Sequence, residues 1–162
     1  MKGTLIFPIL FSVLSCAPSS RDLLKLESRI DSLQKQLDKS YTPGFGEIMS
    51  GIQVHHAKLW FAGINENWEL AEFEIHEIDE GLEDIMNFNI DRPESKVIPM
   101  INPALDSVRV AIKNMNPGQF KNGYILLTNT CNECHKATNH QFNIVTVPKN
   151  LPVVNQDFNP VR

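Results

Sequence analysis

Apolar residues recur along this chain at two spacings. Between residues 19 and 40 they fall at Leu23, Leu26, Ile30, Leu33 and Leu37, three and four residues apart in alternation. That alternation is a heptad seam, the stripe by which helices pair. It covers little more than two heptads, a length at which an isolated helix is marginal in water. The pattern predicts a helical stalk able to self-associate, or a partly helical linker. Tyr41-Thr42-Pro43-Gly44-Phe45-Gly46 then breaks the seam and marks a boundary.

Beyond it, four stretches follow the helical period. The first runs from about Glu47 to Ala62. Ile48, Ile52, His55, Leu59 and Ala62 form its stripe, Met49, His56 and Trp60 its edge, and Gly63-Ile64-Asn65 is expected to close it. Asn67 caps the second, Trp68 to about Phe88, whose stripe is Trp68, Ala71, Ile75, Ile78, Leu82 and Ile85. Asp91-Arg92-Pro93 begins a connection. Asn102-Pro103 and Asn116-Pro117 each offer an N-cap followed by proline at the first helical position. The third helix then turns Leu105, Val108, Ile112 and Met115 inward. The fourth carries Phe120, Tyr124, Leu127, Cys131, Cys134, His135 and Thr138 along one side. From Gln141, Pro148, Pro152 and Pro160 exclude a long helix, so the tail is expected as extended chain wrapping the helices. The expected fold is all-α: a four-helix bundle over 45–140, a short helical or coiled-coil stalk before it, and an extended tail over 141–162.

The first residues change the picture of where this domain resides. Lys2 is followed by the apolar run from Leu5 to Phe11, then Val13-Leu14-Ser15-Cys16. A short positive end, an apolar core too short to span a bilayer and a small residue before the cut describe an export signal. A cysteine at that place resembles the lipidation site of bacterial lipoproteins. Residues 1–15 are therefore expected to be the signal, and 16–44 a linker anchored by lipid on Cys16. The expected location is the bacterial cell envelope, facing the periplasm or the outer surface. A net charge of -4 with no basic patch argues against nucleic acid as a partner. Roughly 120 residues from Tyr41 onward suffice for one core.

The chemistry concentrates in Cys131-Asn132-Glu133-Cys134-His135. This is Cys-x-x-Cys-His, the spacing at which two thiols bind haem covalently and the histidine ligates its iron. On a helix, positions i, i+3 and i+4 share a side, so both sulfurs reach one edge of a porphyrin while the imidazole points at its centre. Two other readings use the same residues. A dithiol redox site needs a strand–helix setting that the pattern lacks. A zinc site needs a fourth ligand, which His140 could supply. The three cysteines divide into one for lipid and two for haem. A carboxylate-bridged di-iron site from His55, His56, Glu72 and Glu77 lacks the Glu-x-x-His spacing of such bundles.

Four amphipathic helices with Cys-x-x-Cys-His on the last resemble the class II c-type cytochromes, the cytochrome c prime family, over roughly Phe45 to His140. The resemblance implies haem c and iron as cofactor, with Cys131 and Cys134 as thioether positions and His135 as the proximal ligand. It also implies a distal side built by the first helix. Three departures stand out. The arginine that the family carries shortly after the motif is replaced by Lys136, Ala137, Thr138, Asn139 and His140. His55-His56-Ala57-Lys58-Leu59-Trp60 is no signature of the family. The proline-bearing tail is additional.

Met49 and His56 are the candidate sixth ligands, since methionine and imidazole are the usual donors opposite histidine. The expected function is single-electron transfer by a monohaem cytochrome that is not an enzyme. The alternatives are a five-coordinate haem that binds nitric oxide or carbon monoxide, and a Cys/His zinc-binding bundle. The second helix carries Glu66, Glu69, Glu72, Glu74, Glu77, Asp79, Glu80, Glu83 and Asp84 and no Lys or Arg. Such a run is a solvated face or a docking surface for a basic redox partner. His76, between Glu72 and Glu80 at helical spacing, belongs to a surface carboxylate network. Lipid on Cys16 attaches the chain to a membrane, and a homodimer is compatible with the seam.

Overall fold

The structure, a computed structural model, describes residues 19–37 and 42–161, and every regular element among them is helical. The predicted signal and Cys16 lie outside the described residues. The chain divides into two units, Met1–Tyr41 and Thr42–Arg162.

In the first unit, α1 spans Ser20–Leu37. Ser19 starts it: its Oγ accepts from the Asp22 N–H at 3.2 Å and donates to the Asp22 carboxylate at 2.7 Å. The heptad residues Leu23, Leu26, Ile30, Leu33 and Leu37 are all exposed.

In the second unit, α2 spans Phe45–Ile64, α3 Trp68–Phe88, α4 Asn102–Lys113 and α5 Pro117–Ala137. A 3₁₀ segment, Glu94–Ile101, fills the connection between α3 and α4. The short loops make hairpins of α2 with α3 and of α4 with α5, and the 3₁₀ segment packs on α5, α3 and α4. The core is aliphatic from α3 and α4 (Ile75, Ile78, Ile85, Leu105, Val108) and aromatic where α2 meets α5. There Trp60, Phe120 and Tyr124 cluster, with ring centroids 4.9 to 6.4 Å apart. Among the described residues no helix is long and apolar enough to cross a membrane.

The two hairpin corners repeat one local solution. After α2, Glu66 takes φ 58°, Glu66 N–H donates to Gly63 O and Asn67 N–H donates to Ala62 O. After α4, Met115 takes φ 48°, with Met115 N–H to Ile112 O and Asn116 N–H to Ala111 O. Both are Schellman closures, and each hands the chain directly to the next N-cap. The Asn67 side chain accepts from Leu70 N–H, and Asn116 from Gln119 N–H.

Three expectations change, and one glycine gains a second role. α2 closes within Gly63-Ile64-Asn65 as expected, and Gly63 is buried in its last turn. A Cβ there would sit 2.1 Å from the Phe120 ring, so the glycine admits an aromatic ring. Met115 is exposed because the left-handed residue after α4 points away from the core. Ile52, Leu59 and Ala62 of the expected α2 stripe are buried, but His56 joins them in the core and His55 stays at its margin. Asn102 does not cap α4: the 3₁₀ segment, which buries Ile98 and Ile101, runs straight into the helix, so Asn102 already takes helical angles and no side-chain cap bond forms there.

Candidate functional site

The site lies where the first turns of α2 face the last turns of α5. Cys131, Cys134 and His135 share one side of α5, as the spacing predicts, and all three line a cavity of about 370 Å³. Phe45, Gly46, Met49, Ile52 and His56 of α2 form the opposite wall. Arg92 and Glu94 enter from the start of the 3₁₀ segment, and His140, Asn143 and Val145 from the tail. The size falls within the range of cofactor and ligand pockets.

His135 is held through one nitrogen. Its Nδ1 lies 2.6 Å from the backbone carbonyl of Asn143. A carbonyl only accepts, so Nδ1 carries the proton and the neutral ring keeps its lone pair on Nε2. The tail makes this contact possible. Past α5, Asn139 takes φ 62° and His140 N–H donates to His135 O at 2.7 Å, which reverses the chain. Asn132, between the two cysteines, then pairs with Val145. Its Nδ2 donates to Val145 O at 2.9 Å and its Oδ1 accepts from Val145 N–H at 2.8 Å. Farther on, Phe158 is buried against Phe61, and Asn67 Nδ2 donates to Asn159 O. The tail thus runs from the motif back to the α2–α3 corner.

The thiols are not poised for thiolate chemistry. Burial, and next the neighbouring Cys134, push the Cys131 thiol up to about 12, and burial raises Cys134 as well. The motif also sits near the C-terminal end of α5, where the helix dipole disfavours a negative sulfur. A dithiol redox centre needs the opposite on both counts. Among the described residues no three His, Cys, Asp or Glu side chains are grouped to hold a metal, so no zinc tetrad is preassembled around Cys131, Cys134 and His135.

Of the two candidate sixth ligands, both line the cavity, in different states. His56 is 4 % exposed and both its nitrogens are engaged. Nδ1 lies 2.9 Å from Tyr124 Oη and Nε2 3.0 Å from Thr128 Oγ1. Tyr124 gives its own proton to His56 O at 2.8 Å, so Nδ1–H donates to Tyr124. Nε2 then accepts from Thr128, whose proton is shared with Tyr124 O at 2.9 Å. Burial holds the imidazole neutral, lowering it to about 4, and drives the Tyr124 phenol far above its usual value. Met49 packs half-buried against the core. His55 faces α3 instead: Nδ1 lies 2.7 Å from Glu74 Oε2 and Nε2 3.8 Å from Glu77.

Charge in the cavity comes from one pair. Among the described residues, Arg92 is the only Lys or Arg in the wall. Its Nε and Nη2 donate to the two Glu94 oxygens at 3.2 and 2.8 Å, and its guanidinium lies 4.9 Å over the Phe45 ring. The Arg92 guanidinium holds the Glu94 carboxyl below its ordinary range. Two donors of the fork serve Glu94, and three remain.

Comparison with known proteins finds no matching family model, curated protein or solved structure. The site therefore stands on its own geometry.

The acidic helix is less uniform than its composition suggests. Glu74 is fully buried, with Lys58 Nζ 3.9 Å from its Oε1. Asp79 pairs with Arg109 of α4 at 2.6 Å, and His76 with Glu80 at 3.2 Å on the surface. Glu66, Glu69, Glu72, Glu83 and Asp84 remain exposed. The di-iron donors are also apart, with His56 in the aromatic core and Glu72 in solvent. Motif spacing had no means of finding Asn143 or Arg92, which reach the site through turns that no pattern of apolar residues encodes, nor the role of Asn132, whose partner Val145 lies in the tail.

Proposed function

We propose that this chain is a monohaem c-type cytochrome of four-helix-bundle form that carries single electrons. The observation that carries the reading is His135. Its Nδ1–H is committed to a backbone carbonyl and its Nε2 lone pair is available, on a cavity wall shared with two protonated cysteines. This is how proteins hold a metal-binding imidazole in a fixed tautomer and orientation. The residues fit haem c in chemistry as well. Cys131 and Cys134 would supply the thioether sulfurs and His135 the proximal nitrogen, opposite an α2 wall that mixes Phe45, Met49 and Ile52 with Ser50, Gln53 and His56. Arg92, oriented by Glu94, would offer its remaining N–H donors to the haem propionates. When bound, haem supplies the one-electron couple; the chain sets ligand, access and dielectric.

Met49 is favoured over His56 as sixth ligand. A thioether loses no hydrogen bond on turning to iron, whereas His56 would surrender Tyr124 or Thr128 in a buried site. Methionine opposite histidine raises the reduction potential. Export, lipid on Cys16 and a place at a membrane face of the bacterial envelope belong to the same proposal, as haem c is attached outside the cytoplasm. The exposed carboxylates of α3 then serve as the docking face for a basic redox partner.

The test is an absorbance spectrum of the chain expressed with export and haem c maturation. Colour that survives denaturation is expected, and reduced bands that carbon monoxide leaves in place. Strong bands shifted by carbon monoxide would transfer the function to gas binding, and a colourless product would overturn the reading. His135→Ala is expected to change the spectrum while the colour persists.

A further inference from the structure

We infer that Asn132 is a positioning residue: from between the two cysteines, its amide clamps the tail so that the Asn143 carbonyl holds and polarises His135. The inference rests on the haem reading above and assigns a role to a position that the motif leaves open.

The clamp has a definite geometry. Asn132 and Val145 form a reciprocal pair, 2.9 and 2.8 Å, in which a side-chain amide imitates a neighbouring strand. Two residues before Val145, the Asn143 carbonyl receives the His135 proton at 2.6 Å. Asn132 and His135 lie three residues apart on α5, and Val145 and Asn143 two apart on the tail. The four positions therefore close a loop of hydrogen bonds around the end of the helix. Asn143 N–H donates to His140 O at 2.9 Å and completes the turn.

Burial does not hold this stretch. Phe142 is 78 % exposed and Ile144 70 %, so the residues on either side of Asn143 gain little from packing. The next tail residue against the core is Val147. Without the amide pair, Asn143 would be tethered by two hydrogen bonds of its own, to His135 Nδ1 and to His140 O, with nothing to fix the chain beyond it. A carbonyl placed on the far nitrogen of an iron-ligating imidazole raises the basicity of the ligating one. That favours the oxidised iron, so the clamp lowers the reduction potential.

The experiment measures the midpoint potential and pyridine-treated haem content of the mature holoprotein. Asn132→Ala is expected to retain covalent haem and to raise the potential enough for a tenfold change in the ferrous-to-ferric ratio, about 59 mV for one electron. Val145→Pro removes the N–H that Asn132 accepts, from the other partner and outside the helix, and is expected to raise the potential likewise; it stands in if Asn132→Ala fails to mature. Asn143→Ala, which keeps the carbonyl, is expected to leave the potential unchanged. A merely structural Asn132 would lower the melting temperature without moving the potential, and an unshifted potential in both clamp variants overturns the inference. A wild type without covalent haem is a different failure, that of the underlying reading, and takes the inference with it.

Discussion

His56 shows how a residue's neighbours decide its chemistry. On sequence it was one of two candidate ligands on an amphipathic edge. In the fold it is a buried neutral imidazole between a phenol and a threonine hydroxyl. Its proton affinity falls from about 6.5 in the unfolded chain to about 4 in the fold because burial disfavours the cation. Between those pH values the unfolded chain binds the extra proton, so stability rises with pH across the window and is lost as pH falls toward 4. The slope from this one group approaches roughly 1.4 kcal/mol per pH unit. Urea unfolding from pH 7 to 4 is expected to show it, and His56→Gln to flatten the curve by about one proton. An unaltered pH dependence in that variant would place the acid sensitivity elsewhere.

At the scale of elements, the corners are the informative feature. Asparagine caps start α3 and α5, and these were legible because Asn before an apolar period, or before proline, is a helix start. The ends of α2 and α3 were legible too, but the left-handed positions among the described residues, Glu66, Met115 and Asn139, were not, because none is glycine, their usual marker. A side chain other than asparagine there costs about 1 kcal/mol. Met115 is exposed and contributes little burial in return. Met115→Gly is therefore expected to raise stability by roughly 0.5–1 kcal/mol, offset in part by a freer unfolded chain. Chemical denaturation of the two forms decides it; a clear loss of stability would mean that the Met115 side chain has a packing role.

For the whole molecule, two units with different logics share one chain. Thr42–Arg162 buries its own core, whereas α1 exposes Leu23, Leu26, Ile30 and Leu33 along one seam. Facing seams of two copies would place Leu23, Ile30 and Leu37 at a and Leu26 and Leu33 at d, a short apolar stripe of the kind by which helices pair. Sedimentation of the chain from residue 17 is expected to show concentration-dependent dimerisation, weak because the seam is short. Removal of residues 17–41, or Ile30→Lys, is expected to leave monomer with unchanged helical content in the core unit. A monomer at every concentration would reduce α1 to a spacer.

The sequence by itself determined the all-α class, the capped starts of α3 and α5 and the coincidence of Cys131, Cys134 and His135 on one side of α5. Helical period, asparagine caps and i, i+3, i+4 geometry are local physics, complete within a few residues. Only the tertiary structure decided what surrounds that motif. It turned His56 into the core and His55 toward Glu74, brought Arg92 to the cavity from a connection, and set Asn143 on His135. Those outcomes depend on which edge of the α2 stripe turns inward and on where a tail without period is pinned. Both are settled by packing and hydrogen bonds between residues far apart in the chain, for which local spacing carries no signal.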